Sequence, residues 1–326
     1  MGEALLEVKG LKKYFKTKSG LLYAVDDVSF TIERGKTLGL VGESGCGKST
    51  TGRVILRLHE ATAGEVIYKG ENILAYSPHK MRDMRKEMQI VFQDPYSSLN
   101  PRMDVKSLIE ESLLQRDRAL KSAVREEKIL KTMDLVGLER RLLHAYPHEL
   151  DGGRRQRIGI ARALILDPAF IVMDEPVSAL DVCVQAQILN LLKQLQKELG
   201  LTYLFISHNL SVVKHISDEI AVMYLGKIVE VADRREIFKR PRHPYTKALL
   251  SAIPIPNPNL KRERIILEGD VTSPINPPPG CRFRSRCRYA SAVCAESCPA
   301  LRKIGGSMTA CHMAMEENDL VTEEQK

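Results

Sequence analysis

The sequence predicts an α/β fold in which helices cover both faces of a parallel sheet. Two short apolar runs, at 170–173 and 203–206, are separated by a helical stretch at 185–199. Buried parallel strands have such continuous apolar runs because both of their faces are covered. A third run, at 37–41, leads into a glycine-rich turn at 42–49, and a helical pattern follows from residue 51.

The glycine-rich turn matches the phosphate-binding pattern G-x-x-x-x-G-K-[ST]. The residues of the predicted loop are Gly42, Glu43, Ser44, Gly45, Cys46, Gly47, Lys48, Ser49 and Thr50. The glycines let successive backbone N–H groups point at phosphate oxygens, and the following helix adds its positive N-terminal end. We expect Lys48 to reach the β- and γ-phosphates and Ser49 to bind Mg²⁺. The turn therefore predicts a site for a nucleotide with Mg²⁺.

Two adjacent carboxylates, Asp174 and Glu175, follow the apolar run at 170–173. In open α/β sheets, ligands bind at the carboxyl ends of the strands. Neighbouring strand residues point to opposite sides, so the two acids are predicted to have different roles. Asp174 suits the Mg²⁺ shell, whereas Glu175 can face the γ-phosphate and orient or deprotonate a water.

Length and composition favour an enzyme of about two domains. The chain has 326 residues and ordinary apolar content, which is ample for a buried core. It has no apolar run long enough to cross a bilayer, and its Lys-rich start lacks an apolar signal segment. We therefore expect a cytoplasmic location. The net charge of +8 is compatible with nucleic acid, an anionic membrane surface or a basic fringe.

The remaining patterns predict smaller elements. Strands of a small antiparallel sheet are predicted at 5–8, 23–32 and 65–68. A helical insert is predicted at 105–143, and a terminal hairpin at 220–231. After about residue 240 prolines are frequent, so regular structure is expected to be short. An acidic tail begins at Glu316.

The cysteines are concentrated near the end of the chain, where Cys281, Cys287, Cys294, Cys298 and Cys311 lie within the last 50 residues. A reducing compartment disfavours structural disulfides, so metal binding is the better explanation. Four thiolates are enough for a [4Fe–4S] cluster or a tetrahedral zinc, and buried or free thiols are the remaining alternative. The spacing is looser than that of a C-x₂-C zinc ribbon.

Four further segments resemble the motifs of ABC ATPases and occur in that family's order. They are Gln93 in a Q-loop, 150–157 as an LSGGQ-like signature, 178–181 as a D-loop and His208 as a switch histidine. The resemblance implies an ABC-type ATPase with a RecA-like P-loop core, an antiparallel β subdomain and a helical subdomain. ATP and Mg²⁺ are then the expected cofactors.

The chain also resembles the ATP-binding subunits of bacterial oligopeptide and dipeptide importers over nearly its whole length. The segments that carry this likeness are 42–46, 92–101 and 243–246, the last followed by the Pro/Cys-rich arm. The resemblance implies an ATP-hydrolysing subunit at the cytoplasmic face of the membrane. Its implied partners are a second ATPase subunit, two integral permease subunits and, indirectly, an extracytoplasmic peptide-binding protein; no nucleic acid is expected.

In the arrangement that the resemblance implies, each ATP lies between the phosphate loop of one chain and the signature of the other. The signature residues are Asp151, Gly152 and Gly153. The sequence departs from the family here, because Asp151 replaces a serine and Arg154 a glutamine. An anion thus stands where a hydroxyl would face the γ-phosphate.

The same resemblance assigns three more residues to the ATP site. Gln93 is expected to coordinate Mg²⁺ or water and to communicate with the permease. His208 is expected to contact the γ-phosphate. The adenine is expected to stack on Phe15, with Tyr14 and Tyr23 as rivals.

The predicted domains are an ABC ATPase domain at 1–240, with a helical subdomain at about 94–160, and a Pro/Cys-rich arm at 241–326. For the arm, the resemblance implies a [4Fe–4S] cluster, with zinc as the alternative. The implied ligands are Cys281, Cys287, Cys294 and Cys311, so that Cys298 is left out.

Other functions remain open on sequence grounds. Nickel or another small solute could be the cargo of the same kind of importer. A non-transport ABC ATPase acting on nucleic acid or ribosomes would use the basic charge for phosphate contacts, but no aromatic-interleaved basic stripe is present. A module that binds ATP without turnover would not need Glu175 and His208, both of which are present.

Overall fold

The computed structural model describes residues 2–116, 119–253, 264–269 and 273–314. The predicted acidic tail from Glu316 lies outside these residues. Within them, the chain divides into two compact units. The described part of the first unit comprises residues 2–5, 32–37, 69–116 and 119–207, and that of the second comprises residues 6–31, 38–68, 208–253, 264–269 and 273–314.

In the described residues the strands are β1 (Ala4–Thr17), β2 (Gly20–Glu33), β3 (Thr37–Val41), β4 (Ala63–Tyr68), β5 (Glu71–Asn72), β6 (Met88–Val91), β7 (Phe170–Asp174), β8 (Thr202–Ser207), β9 (Glu219–Tyr224), β10 (Lys227–Asp233), β11 (Arg302–Ile304) and β12 (Ser307–Thr309). The α-helices are α1 (Lys48–Ile55), α2 (Pro78–Met84), α3 (Pro95–Ser98), α4 (Val105–Arg116), α5 (Ser122–Leu135), α6 (Gly152–Leu164), α7 (Val182–Leu199), α8 (Leu210–Ile216), α9 (Arg234–Lys239), α10 (Pro244–Ser251) and α11 (Ala292–Glu296).

The first unit contains three parallel strands in the order β6, β7, β8. Met88 pairs with Phe170, and Phe170 pairs with Thr202. Every residue of β7 and β8 is buried, which explains why their sequences are apolar without alternation. Helices α3, α4 and α5 all contact α6, so the predicted helical insert packs around a helix that begins at the signature.

Helix α7 has a buried apolar stripe formed by Ile188, Leu189, Leu191, Leu192 and Leu195. These positions recur at the spacing of one helix face. Asp181 caps the helix, because its carboxylate accepts a hydrogen bond from the N–H of Val184 at 3.0 Å. The helix ends at Gly200, whose φ of 66° is a conformation that glycine adopts without strain.

The second unit contains two sheets. In one, the strand order is β3, β9, β10, β12, β11; β3 and β9 are parallel, and β9, β10, β12 and β11 pair antiparallel in turn. In the other, β1 lies between β2 and β4. The predicted small antiparallel sheet and the predicted terminal hairpin are thus both present. The last two strands come from the Cys-rich arm.

The elements that the sequence analysis predicted agree with the structure, apart from small differences at their ends. The sequence analysis did not predict β6 as a strand. It also did not predict α6 as a helix, because residues 150–157 were interpreted only as a motif. Helix α1 begins at Lys48 rather than at Thr51. Of the described helices, none is both long and apolar enough to span a bilayer. The domain boundaries proposed from sequence remain predictions.

Candidate nucleotide site

The phosphate loop lies in the second unit, between β3 and α1. Gly47 adopts a φ of 109°, and a Cβ there would lie 2.0 Å from the carbonyl oxygen of Ala24. Only glycine therefore fits this position. Because Gly47 is also the N-cap of α1, it has no side chain to cover the first N–H groups of the helix. The positive N-terminal end of such a helix favours an anionic ligand.

Lys48 lies across the loop. Its Nζ donates to the carbonyl oxygen of Gly42 at 2.9 Å and to that of Glu43 at 3.0 Å. The side chain is buried, with 4% exposed. An ammonium group is thereby held by backbone acceptors at the centre of the loop, where a phosphate can replace one of them.

Further hydrogen bonds hold the backbone of the phosphate loop. The Oγ1 of Thr51 donates to the carbonyl oxygen of Gly47 at 3.0 Å. The N–H of Gly226 donates to the carbonyl oxygen of Cys46 at 2.8 Å. Cys46 is buried, and burial raises the pKa of its thiol. A buried, protonated thiol packs as a small apolar group. These contacts hold the loop in its curled shape.

The two adjacent acids lie in the first unit, at the carboxyl end of β7. Asp174 is 1% exposed and Glu175 is 9% exposed. Glu175 adopts a φ of 48°, a left-handed conformation that costs a non-glycine residue on the order of 1 kcal/mol or more. Such strain is typical of sites where a side chain is aimed for function.

Hydrogen bonds hold Glu175 in this conformation. Its N–H donates to the carbonyl oxygen of Ile206 at 3.0 Å, and its carbonyl accepts from the Oγ of Ser178 at 3.1 Å. The Nε2 of Gln93 donates to the Oε2 of Glu175 at 3.1 Å. The structure therefore brings together two of the predicted catalytic residues, which are 82 positions apart.

The signature forms the first turn of α6, also in the first unit. Asp151 is the N-cap, and its Oδ1 accepts from the N–H of Arg154 at 2.8 Å. Its Oδ2 lies 3.2 Å from the Nη1 of Arg154, whose Nη2 lies 3.3 Å from the Oε1 of Glu139. The carboxylate that replaces the family's serine is thus turned toward the helix N-terminus and a cation.

The two glycines of the signature permit close packing against the segment around the D-loop. A Cβ on Gly153 would lie 2.7 Å from the Cγ1 of Val184, and one on Gly152 would lie 3.0 Å from the Cδ2 of Leu180. Two motifs that the sequence analysis treated separately are therefore neighbours.

The remaining ATP-site candidates lie in the second unit. Phe15 is half-buried, and its ring contacts that of His59 edge-on, with centroids 5.7 Å apart. Tyr14 and Tyr23 contact each other with centroids 4.3 Å apart, and the hydroxyl of Tyr14 donates to Asp26 at 2.7 Å. His208 is exposed. The roles of Phe15 and His208 remain predictions.

The four predicted cysteine ligands lie in one small region of the second unit. The N–H of Cys281 donates to the carbonyl oxygen of Cys294 at 2.8 Å. Burial and, to a smaller extent, the neighbouring Cys294, Cys298 and Cys311 raise the pKa of Cys281 to about 11. However, among the described residues no group of three or more His, Cys, Asp or Glu is arranged to hold a metal ion. The predicted [4Fe–4S] cluster and zinc are not supported by this arrangement.

Two residues of the arm contact the phosphate loop, and the sequence analysis missed both contacts. The Oη of Tyr245 accepts from the N–H of Glu43 at 2.9 Å. The Nη1 of Arg286 lies 2.9 Å and 3.2 Å from the two carboxylate oxygens of Glu43. The only signal was that Tyr245 belongs to the segment 243–246, which was noted for its resemblance alone.

The fold and the phosphate loop define an ATP-binding cassette protein, and comparisons with known proteins agree. The family model "ABC transporter" matches residues 25–178, and the model "Oligopeptide/dipeptide transporter, C-terminal region" matches residues 229–294. The dipeptide transport ATP-binding protein DppF of Escherichia coli is 52% identical over 315 residues, covering 95% of this chain and 94% of its own. The oligopeptide transport ATP-binding protein AppF of Bacillus subtilis is 49% identical over 322 residues, covering 95% and 98%.

A solved structure is also similar. It is a dimeric, post-hydrolysis state of the ATP-binding cassette MJ0796 bound to ADP and Pi, with a TM-score of 0.65 and 28% identity over 71% of this chain and 99% of that one. The chain therefore belongs to the family of oligopeptide and dipeptide transport ATP-binding proteins. The predicted fold and the predicted enzyme class, an ABC-type ATPase, are confirmed. Neither the nucleic-acid alternative nor the non-catalytic module is favoured by these matches.

Proposed function

We propose that this chain is the ATP-hydrolysing subunit of a transporter that imports di- or oligopeptides, and that it works at the cytoplasmic face of the membrane. The observation that carries the proposal is the curled phosphate loop with Lys48 held at its centre, in a chain whose relatives over nearly full length are named for peptide transport. Nickel or another small solute, the alternative cargo, is not favoured by these relatives.

In the proposed site, Lys48 would neutralise the β- and γ-phosphates, and Ser49, Asp174 and Gln93 would hold Mg²⁺. The bound ion would supply positive charge where negative charge develops during transfer. The buried carboxylate of Asp174 and the hydroxyl of Ser49 are oxygen donors of the kind that Mg²⁺ prefers. Glu175 orients the attacking water and takes its proton, His208 contacts the γ-phosphate, and Phe15 stacks on the adenine.

The proposed assembly contains a second ATPase subunit, two permease subunits and, indirectly, an extracytoplasmic peptide-binding protein. A heterodimer is favoured because Asp151 replaces the signature serine: a homodimer would place this carboxylate in both composite sites. We further propose the domain limits given above, with the ATPase domain ending near residue 240.

Replacing Lys48 by Ala tests the binding site itself. Hydrogen bonds from a charged group contribute about 1.5–3 kcal/mol, so we expect affinity for Mg-ATP to fall roughly 10- to 100-fold. The measurement is equilibrium titration of the full chain with Mg-ATP. Lys9→Ala is the matched control, because the ion pair of Lys9 is with Glu7 on the same strand and its removal should leave affinity unchanged. An unaltered affinity in Lys48→Ala would refute the proposed site.

We also propose that Cys281, Cys287, Cys294 and Cys311 hold a [4Fe–4S] cluster, with zinc as the alternative. The proposal starts from the closeness of these cysteines in the fold, because Cys294 and Cys311 each raise the pKa of Cys281 and of Cys287, although the described side chains are not arranged as a metal site. Burial raises the pKa of Cys281 and Cys287 as well, so a bound metal would have to stabilise their thiolate form. The described elements of the arm near these cysteines, such as α11, β11 and β12, are short. A bound metal would stabilise the fold of this region.

The cluster proposal predicts metal content directly. Chain purified without oxygen should be brown and contain about four iron and four sulfide per chain. Changing Cys287 to Ser should remove most of the iron, whereas changing Cys298 to Ser should leave it in place. One zinc per chain in a colourless protein would favour the alternative. If Cys298→Ser lost its iron while Cys287→Ser kept it, the proposed ligand set would be wrong.

A further inference from the structure

We infer that Arg286, a residue of the Cys-rich arm, is a positioning residue of the ATP site that holds Glu43 and with it the phosphate loop. This inference rests on the proposed role of that loop in binding ATP. It makes the arm a part of the nucleotide site, although the two segments are 243 positions apart.

The first observation is the geometry of the ion pair. A single nitrogen of Arg286, Nη1, lies within 3.2 Å of both carboxylate oxygens of Glu43. The pair is shielded from water, because only 9% of the Arg286 side chain and 30% of the Glu43 side chain are exposed. Shielded pairs with hydrogen-bonding geometry hold their partners more firmly than exposed surface pairs.

The second observation is that the backbone of Glu43 is fixed from the same side. Its N–H donates to the hydroxyl of Tyr245, and its carbonyl accepts from Lys48. The ring of Tyr245 packs against those of Tyr224 and Phe283, with centroids 4.7 Å and 5.5 Å away. Phe283 is 2% exposed and lies three residues before Arg286. The arm thus anchors both the side chain and the backbone of this loop residue.

Buried hydrogen bonds also fix the segment that carries Tyr245. The Nδ1 of His243 accepts from the N–H of Tyr245 at 3.1 Å, and the N–H of His243 donates to Glu230 at 2.9 Å. Burial lowers the pKa of His243 to about 3, so the imidazole is neutral and remains an acceptor. Glu230 is fully buried and also accepts from the hydroxyl of Ser307, a residue of β12 in the arm.

Charge explains why the loop needs this partner. Glu43 is an anion inside a loop that is built to bind a polyanion. Without a cation beside it, its carboxylate would repel the phosphates at short range and would be free to turn toward Lys48. Arg286 neutralises the carboxylate and holds it through Nη1. The pairing therefore preserves the positive potential of the loop.

The test uses the assembled transporter, with Mg-ATP as the probe and steady-state kinetics as the measurement. We expect Arg286→Gln to raise the KM for ATP about fivefold while kcat changes less than about twofold, because the loop supports bound ATP and the transition state alike. Adding Glu43→Gln to that variant should return the KM to within about twofold of the wild type, since the unpaired anion is then gone. A purely structural role of Arg286 predicts no such recovery.

Two further variants keep the outcome interpretable. Arg286→Lys retains the charge and should keep the KM near that of the wild type. Arg284→Gln is the matched control. Arg284 lies in the same turn but donates to the carbonyl oxygens of Pro279 and Ala295 within the arm, so this variant should have an unchanged KM for ATP. An unchanged KM in Arg286→Gln, or a double variant as impaired as Arg286→Gln, would overturn the inference. If Lys48→Ala also binds ATP normally, the proposed site has failed rather than the role of Arg286.

Discussion

Replacing Glu175 by Gln is expected to reduce ATP turnover in the assembled transporter by about two to four orders of magnitude while ATP remains bound. A positioned general base contributes rate factors of about this size. The amide has nearly the shape of the carboxylate, and its oxygen can still accept the hydrogen bond that Gln93 donates to Oε2 at 3.1 Å. What is lost is the ability to take a proton from the attacking water.

The backbone at this position makes the substitution informative. Glu175 has a φ of 48°, and its N–H and carbonyl are both hydrogen-bonded. Glutamine can keep these backbone contacts, so a large loss of turnover would report on chemistry rather than on folding. Binding of Mg-ATP and the melting temperature should remain close to wild type.

The matched control for this experiment is Glu198→Gln. Glu198 lies at the end of α7 in the same unit and accepts a hydrogen bond from Gln194 at 2.9 Å. The same chemical change there should leave turnover intact. If Glu175→Gln retained normal ATP-driven transport, another group would have to activate the water and the proposed base would be wrong.

The sequence predicted the parts of the fold that depend on local patterns. The strands β3, β7 and β8 are continuous apolar runs, because each is buried along its whole length. The phosphate loop is defined by its glycines, whose positions follow from backbone geometry alone. The strand β6 escaped prediction because its four residues, two buried and two half-buried, carry too little periodicity.

The contacts that join distant residues could not be predicted in this way. Nothing near Glu43 in the sequence indicates that Arg286 is its partner, because the pair depends on how the arm packs against the loop. The orientation of Asp151 is a different case. An aspartate before a helix is a favoured N-cap, so its hydrogen bond to the N–H of Arg154 followed a local rule that the motif interpretation had obscured.

The orientation of Asp151 leads to the second large effect, a functional asymmetry between the two composite sites of the proposed heterodimer. The carboxylate occupies the N-terminus of α6, where an anionic ligand would otherwise be favoured. Arg154 neutralises it only in part, since Arg154 also pairs with Glu139 and the Asp151 side chain is 60% exposed. A triphosphate that approaches this helix end therefore meets a negative charge in place of a hydroxyl.

We accordingly expect the site that uses this chain's phosphate loop and Glu175 to hydrolyse ATP, and the site completed by Asp151 to turn over poorly. In the assembled transporter, Glu175→Gln should abolish nearly all turnover, whereas the same change at the partner's equivalent acid should have little effect. Adding Asp151→Ser to Glu175→Gln should then raise the residual turnover about tenfold, because removing the like charge lowers its repulsion of the phosphates.

Serine is as good an N-cap as aspartate, so Asp151→Ser should not disturb α6. Asp104→Ser is the matched control, because Asp104 caps α4 through the N–H of Ser107 at 2.9 Å. In the Glu175→Gln background this control should leave the residual turnover unchanged. If the partner's change abolished turnover while Glu175→Gln was nearly silent, the asymmetry would run the other way. The Asp151–Arg154 pair would then be a working substitute for the serine and glutamine of the family.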